Sequence, residues 1–147
     1  MTYSPWRRLL DHHPDVIVGY DDLETCDGYY EPDELVIMLD RRLSRVETRC
    51  TLEHELQHRE RGHVAQPIPW FHQRNEREAD DLAARRLIEI PALIDALRWS
   101  YSIQEAAEQL RVTPKLVRLR LEGLTKAEQE LVDAAHDEHR DRERGIA

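Results

Sequence analysis

No apolar run in this 147-residue chain approaches the roughly 18–20 residues that a membrane span requires, which excludes a transmembrane helix. The start, Met1-Thr2-Tyr3-Ser4-Pro5-Trp6-Arg7-Arg8, is basic but has no apolar stretch behind it, so it does not read as a signal peptide. Two cysteines, Cys26 and Cys50, make no disulfide framework; with the missing signal they point to a reducing cytoplasm. Glycine is scarce, and of five only Gly62, Gly123 and Gly145 lie beyond residue 40. There is no internal repeat and no low-complexity segment ahead of the polar C-terminus.

What the chain does have is charge. Charged residues make up 35% and the net charge is −9, with −8 of it carried by residues 1–40. An acidic whole argues against a nonspecific nucleic-acid binder. Residues 101–126 carry +2 and keep a local contact open. The length suits one compact domain with a small appendage and can bury a core without metal or disulfide. Eight histidines are more than a purely structural role needs.

Trp6–Leu10 reads as a short helix stopped before Pro14. Val16–Tyr20, Tyr29-Tyr30 and Glu34–Leu39, separated by turn signals, predict a small, mostly antiparallel three-stranded sheet. The rest reads as helices. The first long one spans about Arg41 to Arg61, where Leu43, Val46, Cys50, His54 and His58 fall within a sector of about 120°. Gly62 ends it and Pro67-Ile68-Pro69 marks a loop. Further helices are expected at about 72–88 and 92–99. Ser102 with Glu105, and Thr125 with Glu128, form capping-box patterns that open helices at 103–110 and 126–139. Thr113-Pro114 opens another between them.

His54-Glu55-Leu56-Gln57-His58 is an HExxH motif. Spacing of i, i+4 stacks two imidazoles one turn apart, so both reach one ion, and Glu55 lies where a carboxylate can take a proton from zinc-bound water. Shuffling this composition produces the motif in about 5% of sequences, so context decides. Both histidines continue an otherwise apolar stripe, and buried imidazoles need partners. A catalytic zinc needs a third protein ligand. On the next helix Glu76, Ala79, Asp80, Ala83 and Leu87 share a sector of about 100°, opposite Glu78. Glu76 is therefore the expected ligand, and Asp80 the carboxylate that accepts the free N–H of a ligand histidine. The plain alternatives are core histidines bonded to neighbours and an ordinary polar helix face. His63 comes one residue early for a third-histidine HExxHxxGxxH site. Tyr29, Tyr30, His63 and His72 are unranked candidates for holding substrate or an oxyanion. The strand at 34–39 is either a core strand or one that pairs with an extended substrate.

Strands followed by Thr51-Leu52-Glu53-His54-Glu55-Leu56-Gln57-His58, then Glu76-Arg77-Glu78-Ala79-Asp80-Asp81-Leu82-Ala83-Ala84, resemble the ImmA/IrrE family of bacterial and phage metallopeptidases. The resemblance covers roughly residues 27–124. It implies one zinc per chain held by His54, His58 and Glu76, Glu55 as general base, and regulatory cleavage of a transcriptional repressor in a bacterial or phage-infected cytoplasm. Gln57 stands where glycine is common in that family, Arg86 where an apolar residue is common, and the usual proline after the second helix comes late, at Pro91.

Residues 102–121 have helix-turn-helix rhythm, with Arg111, Lys115, Arg118 and Arg120 placed to meet phosphate. Arg111 replaces the usual turn glycine, and base-reading side chains are absent from 113–121. The expected whole is an α+β, zincin-like domain at 1–100, a helix-turn-helix-like extension at 101–139 packed on it, and a polar tail at 140–147. Two functions compete: a zinc endopeptidase acting on a protein substrate, and a DNA- or regulator-binding protein with a vestigial or structural zinc site. The first is favoured.

Overall fold

The computed structural model describes residues 2–145. Within them the fold is α+β, with seven helices and one three-stranded sheet. The chain divides into two compact units, Met1–Leu87 and Ile88–Ala147. The division falls after residue 87, whereas the sequence reading ends its first domain at 100. No described helix is long and apolar enough to cross a membrane.

The first unit begins with α1 (Pro5–His12), where Ser4 Oγ accepts from Arg7 N–H and proline occupies the first turn, where its missing N–H costs nothing. The strands β1 (Ile17–Asp21), β2 (Gly28–Glu31) and β3 (Val36–Asp40) are ordered β1-β3-β2. β3 runs parallel to β1, with Ile17 opposite Val36, and antiparallel to β2, with Tyr30 opposite Ile37. The sheet is therefore mixed, which corrects the expectation of a mostly antiparallel one. Sequential strands usually pair, but here the most apolar strand takes the centre, with Ile37 and Leu39 fully buried. β3 has both edges paired, so it cannot add a substrate strand; the edges belong to β1 and β2.

The helix α2 (Arg45–Arg61) starts four residues later than the apolar pattern suggested. A reciprocal capping box sets the start: Ser44 Oγ accepts from Glu47 N–H at 3.1 Å, and Glu47 Oε2 accepts from Ser44 N–H at 2.8 Å. β2 approaches α2 so closely that a Cβ on Gly28 would lie 2.8 Å from Thr51 Cγ2. Leu9, Val16, Ile37, Leu39, Leu52 and Leu56 form the core between sheet and helices, with Val18 and Tyr30 packed on it. The helix α3 (Pro69–Leu87) packs on α2 and buries Ala79, Ala83, Ala84 and Leu87, small residues that permit close approach.

The second unit holds α4 (Ile90–Trp99), α5 (Ile103–Leu110), α6 (Pro114–Glu122) and α7 (Lys126–Arg144). α5 and α6 are joined through Arg111, which adopts a left-handed conformation with φ of 57° where glycine is customary, and Val112 plugs the turn at 2% exposed. α7 continues through Arg144, so most of the expected polar tail is helical; His139 Nε2 lies 3.2 Å from Glu143 one turn on. Residues 146–147 of that tail lie outside the described residues.

Candidate metal centre

Two elements bring the site together. His54 and His58 project from successive turns of α2, and Glu76 comes from the second turn and beyond of α3. His54 Nε2 and His58 Nε2 are 3.0 Å apart; Glu76 Oε2 lies 2.9 Å from the first and Oε1 3.0 Å from the second. Both histidine side chains are largely buried, 17% and 12% exposed, while Glu76 is 40% exposed, leaving an open side. Two imidazole nitrogens about 3 Å apart, each about 3 Å from one oxygen of the same carboxylate, are gathered closely enough for one cation: bonds of about 2.0–2.2 Å in a tetrahedron would set ligands about 3.3–3.6 Å apart. His54, Glu55 and His58 also present one ligand atom each within 4.8 Å of one another.

The electrostatics ask for a positive charge. Burial opposes charging His54, but hydrogen bonds to Asp80 and Glu76 and the charges of Glu55 and Glu76 outweigh it and push its pKa up to about 10. Hydrogen bonds from His54 and His58 hold the Glu76 carboxyl well below the usual carboxylate range, against its burial. The pull of Glu76 on a proton at His54 Nε2 marks a place that favours a cation, and two imidazoles with a carboxylate are a donor set that suits zinc.

Around these atoms stand their supports. Asp80 Oδ1 lies 2.9 Å from His54 Nδ1, on the far side of the ring from the site. Glu55, 5% exposed, accepts a hydrogen bond from the backbone N–H of Tyr30; burial raises its pKa, against the pull of His54 and His58. His58 Nδ1 lies 3.0 Å from His63 Nδ1. Glu78 is not simply solvated: it meets Arg61 Nε at 3.4 Å and His63 Nε2 at 3.6 Å.

The four candidates for holding substrate separate. Tyr30 packs on the core and its hydroxyl accepts from Arg59 at 2.6 Å, so only its backbone serves the site. Tyr29, the next residue along the strand, alternates to the opposite face of the sheet. His63 is 11% exposed and turned to His58, away from the substrate or oxyanion role it was a candidate for. His72 is exposed on the first turn of α3, one turn ahead of Glu76 on the same face. In the second unit Arg111, Lys115 and Arg118 are exposed, but Arg120 is 4% exposed; its Nε donates to the Ile88 carbonyl at 2.9 Å and a terminal nitrogen to Glu128 at 2.6 Å. Arg120 is thus turned away from any phosphate.

Sequence reasoning missed the polar network behind the motif. Glu53, fully buried, accepts from the Tyr3 hydroxyl, from Gln57 Nε2 at 2.8 Å and from Arg86 at 3.1 Å. Burial pushes the pKa of Glu53 up, against those three partners, and burial with the neighbouring Glu53 pushes that of Tyr3 up as well. Arg86 also reaches Glu60 at 2.9 Å, which binds Arg8 at 2.5 Å and His13 at 2.9 Å. The departures Gln57 and Arg86 were the available signal: polar residues at positions where small or apolar ones are common.

The family profile described as the IrrE N-terminal-like domain, a peptidase family, matches residues 13–122, about three quarters of the chain. No curated protein and no solved structure matches it. The matched stretch contains His54, Glu55, His58 and Glu76. By its sequence over that stretch, the chain belongs to the IrrE N-terminal-like domain family, a family of metallopeptidase type.

Proposed function

We propose that the chain is a zinc-dependent endopeptidase that cleaves a protein substrate, with His54, His58 and Glu76 holding one zinc and Glu55 as general base. The convergence of two imidazole nitrogens and a carboxylate within about 3 Å, beside a buried carboxylate of raised pKa, carries this reading. Zinc bound there supplies Lewis acidity, lowering the pKa of water and polarising a carbonyl. Glu55 takes the proton of the attacking water and delivers it to the leaving amine, and its burial moves it toward the pKa such a shuttle needs. Its hydrogen bond from Tyr30 N–H holds the carboxylate against β2. The resemblance to ImmA/IrrE proteins makes a transcriptional repressor the substrate class to try first. DNA binding has less behind it, since one of its four basic residues is buried.

Metal analysis of the purified chain and of Glu76→Ala tests the site: one zinc per chain, lost in the variant, is expected. No zinc after addition and dialysis would refute it. Cleavage is then sought by sequencing new N-termini after the zinc-loaded chain meets repressor proteins. Glu55→Gln should keep the metal and abolish those termini, and equal cutting by that variant would sink the mechanism.

A further inference from the structure

The contact between His58 and His63 has no place in the ligand set, in the general base or in the core. It arises from how α2 ends. Gly62 adopts a left-handed conformation with φ of 66°, Gly62 N–H donates to the Arg59 carbonyl at 3.1 Å, and His63 N–H donates to the His58 carbonyl at 2.9 Å. This is the paired bonding of a Schellman ending, in which the residue beyond the glycine returns to contact the residue five positions earlier. Usually that contact is apolar. Here it is one imidazole against another, with ring centres 5.2 Å apart and planes inclined at 64°.

The two nitrogens in contact decide what the pair can do. His58 Nε2 faces His54 and Glu76, so a metal ligand there uses the Nε2 lone pair and leaves the ring's proton on Nδ1. That proton meets His63 Nδ1 at 3.0 Å. A neutral imidazole has one bare nitrogen, so His63 must present it at Nδ1 and carry its own proton on Nε2, the side of Glu78. His54 is served differently: its Nδ1 meets the Asp80 carboxylate at 2.9 Å. Each ligand histidine thus has one acceptor behind it, anionic for His54 and neutral for His58.

We infer that His63 is a positioning residue for the metal centre, accepting the Nδ1 proton of His58 and so fixing the tautomer and ring orientation in which His58 Nε2 meets the ion. The inference rests on the zinc reading above and adds a residue outside its ligand set. Acceptors of this kind change metal affinity about 10–100-fold when removed.

The test is competition for zinc between the full chain and a chromophoric chelator, run on the parent, His63→Leu and His63→Asn, with circular dichroism of each metal-free protein. Leucine removes the acceptor, whereas the asparagine carbonyl oxygen can stand near the place of Nδ1. His63→Leu should bind zinc about 10–100-fold more weakly with an unchanged metal-free spectrum, and His63→Asn should recover most of that loss. A parent that binds zinc, with His63→Leu binding as tightly, overturns the role of His63 and leaves the zinc reading standing. Equal weakening in both variants overturns it too, since the acceptor is then not what matters. A parent that binds no zinc overturns the zinc reading and the role of His63 with it.

Discussion

Arg86→Met probes what holds the metal helix from behind. Arg86 donates to Glu53, which is fully buried, and to Glu60, whose side chain is 16% exposed. Removing one partner of a buried ion pair costs about 3–5 kcal/mol, because the other charge remains in a poor solvent. The low end applies here. Glu53 keeps Tyr3 and Gln57, Glu60 keeps Arg8 and His13, and Arg86 itself is 26% exposed. The expected loss is about 3 kcal/mol near pH 8, which moves a urea midpoint down by roughly 1–3 M. The loss should also depend on pH. The folded pKa of Glu53 is raised, so its contribution is fully present below its unfolded value and is lost as pH rises through the folded one. Taking Arg86 away raises that pKa further, and the deficit should be smaller near pH 5 than near pH 8. In the variant Arg8 and His13 remain to hold the Glu60 carboxyl down against its burial. Urea unfolding of parent and variant at the two pH values, followed by circular dichroism, reads both effects. A deficit equal at both, or below about 1 kcal/mol, would refute the reasoning.

Three further outcomes follow from the same contacts. Burial opposes it, but Arg8, His13 and Arg86 lower the Glu60 pKa to about 2, so Glu60 stabilises the fold above its unfolded value near 4.5. That stability, about 3 kcal/mol, should disappear as pH falls from 4.5 to 2, and Glu60→Gln should flatten this limb of an acid titration. Gly62→Ala should cost about 1–2 kcal/mol in thermal unfolding through φ alone, because a Cβ there meets nothing within 4 Å. Gln57→Gly and Arg86→Met should fail to add in a double-mutant cycle by about 0.5–3 kcal/mol, since both side chains donate to the same Glu53 oxygen; additive losses would show that they act separately.

What could be read from the sequence was whatever lies close along the chain. HExxH is five contiguous residues, and helical phase alone set Glu76 apart from Glu78 on α3. The capped starts at Ser102, Thr113 and Thr125 were legible because the acceptor and its N–H are three residues apart. The start of α2 is equally local, in Ser44 and Glu47, but the apolar pattern extends ahead of them and masks it. The pairing of β1 with β3 was not legible, since it skips the strand between them and depends on which strand the core buries most completely. Tyr3, Arg8 and His13 reach Glu53 and Glu60 across about fifty residues, and nothing local marks them.

The stripe that led to the histidines was itself only partly the buried one. On α2 the fully buried apolar residues are Leu52 and Leu56, while Glu53, Glu55 and Gln57 beside them are also buried. Rotating by 100° per residue, Leu52 and Leu56 meet the sheet, Glu53 and Gln57 meet Tyr3 and Arg86, and His54 and His58 meet Glu76. Glu55 completes the circuit at β2 through Tyr30. Where a helix is covered on most sides, as over residues 52–57, little solvent face alternates with its core, so hydrophobic periodicity weakens where the chemistry is densest. Polar residues can fill those sides only if each finds a partner, and no buried side-chain polar atom among the described residues lacks one. The orientation of the two ligand histidines is therefore set by hydrogen bonds to charged and neutral acceptors as much as by packing, which makes it sensitive to pH and to single polar substitutions well outside the motif.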